Sequence, residues 1–287
     1  MIVVTAATGN LGTHVVEQLL ETVPADQIRV AVRNPGKAAA FAAKGVEVVK
    51  ADYASAADWP AALDGADRLL LISSSEVGQR LPQHQTVIAA AKAAGVGQIV
   101  YTSVLHADGV SAPMLQEHLP TEAAIKASGV PFTLLRNGWY LENYTENLDA
   151  PLGMGKLFGA GKDGKISAAA RADYAAAAVK ALTEDGHVGK TYELGGDVAF
   201  TLTELAAAIS SASGTAVEYV DMPEEAYADA LKGAGLPPPF AEALAGADVT
   251  IAKGELYEPS RTLSEIIRRP TQTLDAALKA ALAKRSA

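Results

Sequence analysis

The chain has no cysteine, which excludes a disulfide framework, a thiolate metal centre and a cysteine nucleophile. It also lacks any apolar run close to the roughly 18 to 20 residues that a membrane-crossing helix needs. Positive charge is in short supply: 24 Lys and Arg stand against 33 Asp and Glu, a formal net charge of -9. A chain of that sign is not built to bind nucleic acid or an anionic bilayer as its main partner. Its histidines, at 14, 84, 106, 118 and 187, show no metal-ligand spacing, so no metal is expected. No basic, apolar leader precedes the first strand, so the expected location is the cytoplasm and the expected ligand a small molecule. What remains, 49% apolar and 20% charged over 287 residues, is the composition of a folded protein with one large or two modest domains.

Short runs rich in valine and isoleucine alternate with alanine-rich helical segments. Strands are expected at Ile2 to Thr5, Ile28 to Val32, Val46 to Val49, Arg68 to Ile72, Ile99 to Ser103 and Phe132 to Leu135. Strands apolar on both sides and separated by helices belong to a parallel sheet covered on both faces. Right-handed crossovers then give an α/β, doubly wound Rossmann domain whose ligand sits at the carboxyl ends of the strands. After Leu135 the alternation fails. A glycine-rich stretch (GMGKLFGAGKDGK), a helix from about Arg171 to Glu184 and a strand near Lys190 to Leu194 suggest a smaller, partly interleaved C-terminal α/β domain. The expected division is 1–150, with about 171–195 returning to it, and 151–287. The LPPPF at 236–240 reads as a loop or a helix start.

Between the first strand and the first helix stands TAATGNLG, residues 5–12. The pattern Ala6-x-x-Gly9-x-x-Gly12 sits where a dinucleotide fold places its phosphate turn. There Gly9 lets backbone approach a pyrophosphate, Gly12 lets helix pack close to strand, and helix N–H groups face the anion. The turn offers Ala6, Ala7, Thr8, Gly9, Asn10, Leu11 and Gly12 as cofactor residues; the bland alternative is a tight structural turn. Ala6 occupies the first glycine's place, which costs little if an alanine can adopt the required backbone angles.

The second strand ends in Arg33, followed by Asn34-Pro35-Gly36-Lys37. Folds that choose NAD carry an acid at about this distance to bind the ribose 2′-hydroxyl; an arginine favours the 2′-phosphate of NADPH, with NADH weaker. Asp52, after the third strand, is either an adenine acceptor or a loop cap. Ser73, Ser74 and Ser75 leave the fourth strand and either hold ribose and phosphate or cap the next helix. The sixth strand leads into Asn137, Gly138, Trp139, Tyr140, Leu141 and Glu142. Asn137 suits a carboxamide or a substrate carbonyl, and Trp139 with Tyr140 suits one wall of a flat aromatic pocket or plain domain packing.

TxATGxLG, the VRNP around Arg33, LLLISSSEVGQR, YTSVLHAD, LLRNGWYLENY and RADYAAAA together resemble the bacterial type 2 NAD(P)H:quinone oxidoreductases. That family lies in the NmrA-like, atypical branch of the short-chain dehydrogenase/reductases, which also includes triphenylmethane dye reductase. The resemblance spans nearly the whole chain and departs from the family pattern at Ala6. It implies an oxidoreductase carrying NADPH in a site that includes Thr8 to Leu11, Arg33, Ser73 to Ser75, Asn137 to Glu142 and Ala168, and passing a hydride to a quinone or a related conjugated acceptor such as a dye. A small-molecule quinone is thus the expected partner, and a homo-oligomer is left open.

The usual proton-donating pair of short-chain enzymes is missing: none of the nine tyrosines has a lysine four residues on. The corresponding segment reads EHLPTE, which puts His118 and Glu122 on one helical face. Weak catalytic candidates are therefore Asn137, Tyr140 and His118, the last either a proton donor or a structural histidine. Quinone reduction tolerates a weak donor, since the hydroquinone anion is much less basic than an alkoxide. The alternative function is a non-catalytic NADP(H)-binding redox sensor that acts through a protein partner. An epimerase or sugar-nucleotide dehydrogenase falls because its chemistry needs the absent tyrosine.

Overall fold

The computed structural model describes residues 1–285. Nine strands run in chain order as β1 (Ile2–Thr5), β2 (Ile28–Val32), β3 (Glu47–Lys50), β4 (Arg68–Leu71), β5 (Gln98–Val104), β6 (Phe132–Asn137), β7 (Lys156–Gly159), β8 (Thr191–Leu194) and β9 (Glu218–Asp221). Seven of them form one sheet in the order β3-β2-β1-β4-β5-β6-β8, and β1 to β6 pair in parallel throughout. The order reverses between β1 and β4, so the crevice beyond their carboxyl ends is the topological switch point where doubly wound folds bind ligands.

The sequence periodicity has its cause in burial. Every residue of β2 and β5 is buried, as expected of strands sandwiched between helical layers. On one face Val3, Leu69, Leu71, Ile99, Tyr101 and Leu134 pack with Trp59, Val87 and Ile125 from the covering helices. Against the other lie the helices Asn10–Leu19 and Arg171–Thr183, tied where Gln18 Nε2 donates to the Ala172 carbonyl at 2.9 Å. Strand limits differ from the sequence expectation by one or two residues; β3 starts at Glu47, and β6 runs on through Arg136 to Asn137.

The chain divides into two compact units. The first contains Met1–Ala107, Gln116–Asn137 and Arg171–Tyr192; the second Asp108–Leu115, Gly138–Ala170 and Glu193–Ala287. The chain thus leaves the first unit briefly after Ala107, returns at Gln116, and leaves it again after Asn137 rather than near residue 150. The physical reason is that Leu141 and Leu148 bury their side chains in the second core, with Ile166, Phe200, Leu205 and Ile251. Residues 108–115 likewise sit in the second unit, where the Ser111 N–H donates to the Glu255 carboxylate at 2.8 Å. That unit also contains the small parallel pair β7–β9. Its helix Leu202–Ser213 starts with a reciprocal cap between Thr201 and Glu204, and LPPPF opens the helix Pro238–Ala252.

Candidate functional site

At the switch point the first unit holds a cleft of about 530 Å³. Its floor is the turn after β1. Ala6 takes φ +48°, the left-handed conformation that glycine adopts freely, and its carbonyl accepts the Gly9 N–H at 2.9 Å. A Cβ on Gly12 would lie 2.4 Å from the Ala6 carbonyl oxygen and 2.7 Å from Ala7 Cα, so only glycine lets the helix come this near the strand. On Gly9 a Cβ would meet the same oxygen at 3.2 Å. The helix starts at Asn10 with no side-chain cap and no acid in its first turn. Its leading N–H groups are thus left for an anion, which is what a pyrophosphate requires.

One wall comes from the end of β2. Arg33 and Lys37 both line the cleft, and the side chain of Asn34 holds the turn between them by accepting the Gly36 N–H at 3.0 Å. The facing wall is the segment after β4. Ser73 and Ser75 line the cleft, and so does Ser74, although its groups are engaged by protein: its N–H donates to His84 Nε2 at 2.9 Å and its hydroxyl to Gln83 Oε1 at 2.5 Å. From this wall Glu76 reaches across, with Oε1 2.9 Å from Arg33 Nη1. Asp52 lines the far end, yet one of its carboxylate oxygens accepts the Ala54 N–H at 2.9 Å, so it braces its own loop as well.

Two aromatics that the sequence pattern did not single out complete the cleft. Tyr53 and Trp59 stack at 5.8 Å between ring centroids. The Tyr53 hydroxyl lies 2.6 Å from both Thr5 Oγ1 and the Ile72 carbonyl, and burial pushes its pKa far up. It is a strut across the carboxyl ends of β1 and β4 and no proton donor. No periodicity marks such residues, because both belong to the loop and short helix after β3.

The remaining sequence candidates are distributed differently. Ala7 turns its side chain fully into the core and lines no part of the cleft. Asn137, closing β6, is 4% exposed, and neither Nδ2 nor Oδ1 finds a partner. A buried amide with both functions unsatisfied is costly unless a ligand completes it, and a carboxamide is its complement. His118 is also buried. Its Nδ1 lies 2.9 Å from the Tyr101 hydroxyl, and desolvation, reinforced by Arg80 and His84, holds its pKa well below the usual histidine value. Burial thus disfavours the imidazolium that would act as a proton donor, and the side chain lies in the core. Glu122 on the same face is fully buried against Arg136, with Nη2 2.7 Å from Oε2.

Gly138 to Glu142 and Ala168 belong to the second unit. The Leu141 N–H donates to the Ala169 carbonyl at 3.0 Å and the Ala169 N–H to the Trp139 carbonyl at 3.1 Å, lacing the two segments together. The side chains of Leu141 and Ala168 face the second core, and Trp139 packs on its edge. Leu141 is spent on the fold, since its carbonyl also accepts the Tyr144 and Thr145 N–H groups at 3.0 and 3.1 Å, and Ala168 has only its backbone to offer a ligand. Tyr140 makes a bridge with Ala169. Among the described residues no group of histidine and carboxylate side chains is arranged to hold a metal ion.

Comparison with known proteins agrees with this geometry. The model of the NmrA-like family matches residues 1–284. Quinone oxidoreductase 2 of Escherichia coli K12 is 54% identical over 274 residues, 96% of each chain. A crystal structure of the NADPH-dependent quinone oxidoreductase from Escherichia coli, complexed with NADPH, superposes with a TM-score of 0.96 at 52% identity, covering 98% of this chain and all of that one. The triphenylmethane reductase of Citrobacter sp., complexed with NADP(H), follows with a TM-score of 0.95 at 37% identity, covering 98% of this chain and 100% of that one.

Proposed function

Because the chain belongs to the NmrA-like family, we propose from the build of its cleft that it is an NADPH-dependent quinone reductase. The observation that carries this reading is the cleft at the switch point: a capless helix start for the pyrophosphate and two cations, Arg33 and Lys37, at the end of β2. It draws support from the 54% identity to a quinone oxidoreductase along nearly the whole chain. Relatives at this identity and at 37% are named as reductases, which favours turnover over the sensor alternative.

When bound, NADPH supplies the hydride that a quinone accepts. The chain's own part is positioning. Backbone N–H groups from Asn10 onward would hold the pyrophosphate, Arg33 and Lys37 would face the 2′-phosphate, and the unsatisfied amide of Asn137 would bind a carboxamide by reciprocal hydrogen bonds. With the tyrosine–lysine pair absent and His118 buried in the core, solvent supplies the proton to a hydroquinone anion that needs little help. This reading places the protein in the cytoplasm, acting on a small-molecule quinone.

Its test is nicotinamide absorbance followed over time with NADPH or NADH and a panel of quinones and one triphenylmethane dye. Quinone-dependent loss of NADPH, faster than of NADH, is expected. Saturable binding without turnover on any acceptor would shift the function to a sensor. No saturable binding of either cofactor would remove the reading altogether.

A further inference from the structure

Glu76 is a charged residue of the cleft that the proposed function leaves without a task, and it faces the cation Arg33. It is well anchored: its Oε2 accepts the Gln83 amide at 2.6 Å, its own N–H donates to Ser74 Oγ at 3.2 Å, and the Ser74 carbonyl accepts Arg80 Nε at 2.8 Å. Gln83 and Arg80 in turn belong to the helix Arg80–Ala93. The partner across the cleft is freer, since the Arg33 side chain is 67% exposed against 46% for Glu76. A fixed carboxylate thus holds a movable guanidinium.

We propose that Glu76 is a specificity-determining residue: its carboxylate stands on Arg33 where the cofactor's 2′-phosphate would, and so weakens the preference for NADPH over NADH. The inference rests on the reading of this cleft as the NADP(H) site. A 2′-phosphate is a second anion for one guanidinium. Either Arg33 leaves Glu76, and the ion pair is lost, or the phosphate settles beside a carboxylate that repels it. Both penalties fall on NADPH alone. NADH brings a neutral 2′-hydroxyl, which leaves the pair intact and can donate to a carboxylate. The acid that selects NAD in related folds comes from the end of β2; here the arginine holds that place and the acid enters from the segment after β4.

The test is direct binding, with dissociation constants of NADPH and NADH measured by titration on the wild type, Glu76→Gln and Glu76→Ala. Glutamine keeps an oxygen for the Gln83 amide; alanine controls for any new contact, and melting curves verify folding of both. An exposed pair of this kind sets the scale, so NADPH should tighten about twofold to fivefold in both variants while NADH stays the same or weakens. The gain should shrink at about 1 M salt, where the charges are screened. Weaker NADPH binding by folded variants would show that Glu76 orients Arg33 for the phosphate, and would overturn the proposal. Equal changes for both cofactors would overturn it too. If the wild type binds neither cofactor, the NADP(H) reading fails and takes this one with it; if it binds NADPH and the variants keep its selectivity, only the role of Glu76 fails.

Discussion

Ala6 shows what a single methyl group does to the turn. At φ +48° an alanine pays roughly 1–2 kcal/mol relative to the right-handed region, whereas glycine does not. Glycine loses more freedom on folding, up to about 1 kcal/mol, so Ala6→Gly is expected to stabilise the protein by roughly 0.5–1 kcal/mol. A rise in the urea midpoint at unchanged slope would verify it. Since the Ala6 contact that shapes the turn is its carbonyl on the Gly9 N–H, which glycine retains, NADPH affinity should move less than twofold. Arg33 is the other residue whose meaning is legible in the sequence, from its place after the second strand. Arg33→Asp should weaken NADPH by about 1.5–3 kcal/mol and NADH much less, by the loss of a charge-assisted contact. Equal weakening, measured by titration of both cofactors, would show that Arg33 does not read the phosphate. Glu76, two strand ends away in sequence, gives no such sign. A carboxylate after a serine turn looks like a helix-start residue until the sheet order brings it opposite Arg33.

At the level of elements, the strands were legible because burial on both faces leaves a run of apolar residues, and the helices because they alternate with those runs. That the ligand belongs at the carboxyl ends of the strands was legible from the crossovers, whereas the order reversal between β1 and β4 that sets the cleft is seen only in the structure. The pair β7–β9 was not legible: each strand has four residues, half-exposed in the middle, and β7 ends in a glycine. Such segments carry neither a continuous apolar run nor a clean alternation. Tyr53 and Trp59 were hidden for a related reason, as loop and short-helix residues whose role depends on stacking with each other. A tight joint in the site is the approach of the first helix at Gly12 to the turn after β1. Gly12→Ala would push a Cβ to 2.4 Å from backbone oxygen, with no flexible side chain to yield. The helix must then move off the strand, so a loss of several kcal/mol in urea denaturation is expected. NADPH binding should fall with it, because the same shift tilts the N–H groups of the phosphate turn.

On the scale of the whole molecule, the two units carry opposite linkages to pH. In the first, His84 lies in an edge-on aromatic stack between Tyr53 and Tyr101, its Nε2 accepting the Ser74 N–H and its Nδ1 facing Thr121 Oγ1. Desolvation, then Arg80, pulls its pKa down to about 3, and His118 is lowered in the same way. Between about pH 3 and 6.5 the unfolded chain therefore binds protons that the folded unit refuses, and stability falls as pH drops through that window. In the second unit burial, with Asp221 nearby, raises Asp248 to about 6 even though the carboxylate accepts the Ala160 N–H at 2.9 Å. From its ordinary value of 3.8 up to about 6 the folded unit holds the extra proton, so stability here falls as pH rises. The chain has two tryptophans, Trp59 in the first unit and Trp139 in the second. Trp59→Phe and Trp139→Phe thus leave one fluorescent reporter in each unit. Urea titrations at pH 4, 5.5 and 7 should show the Trp59 signal losing stability on acidification more steeply than the Trp139 signal. Asp248→Asn keeps an oxygen for the Ala160 N–H and removes the charge. It should stabilise the transition seen by Trp139 by roughly 2–3 kcal/mol at pH 7, the equivalent of two pKa units, and leave it nearly unchanged at pH 4. A gain of the same size at both pH values would mean that the carboxylate is not held neutral by the fold. Coincident curves from the two reporters would mean that the units unfold together, with the histidine and aspartate contributions summed in a single transition.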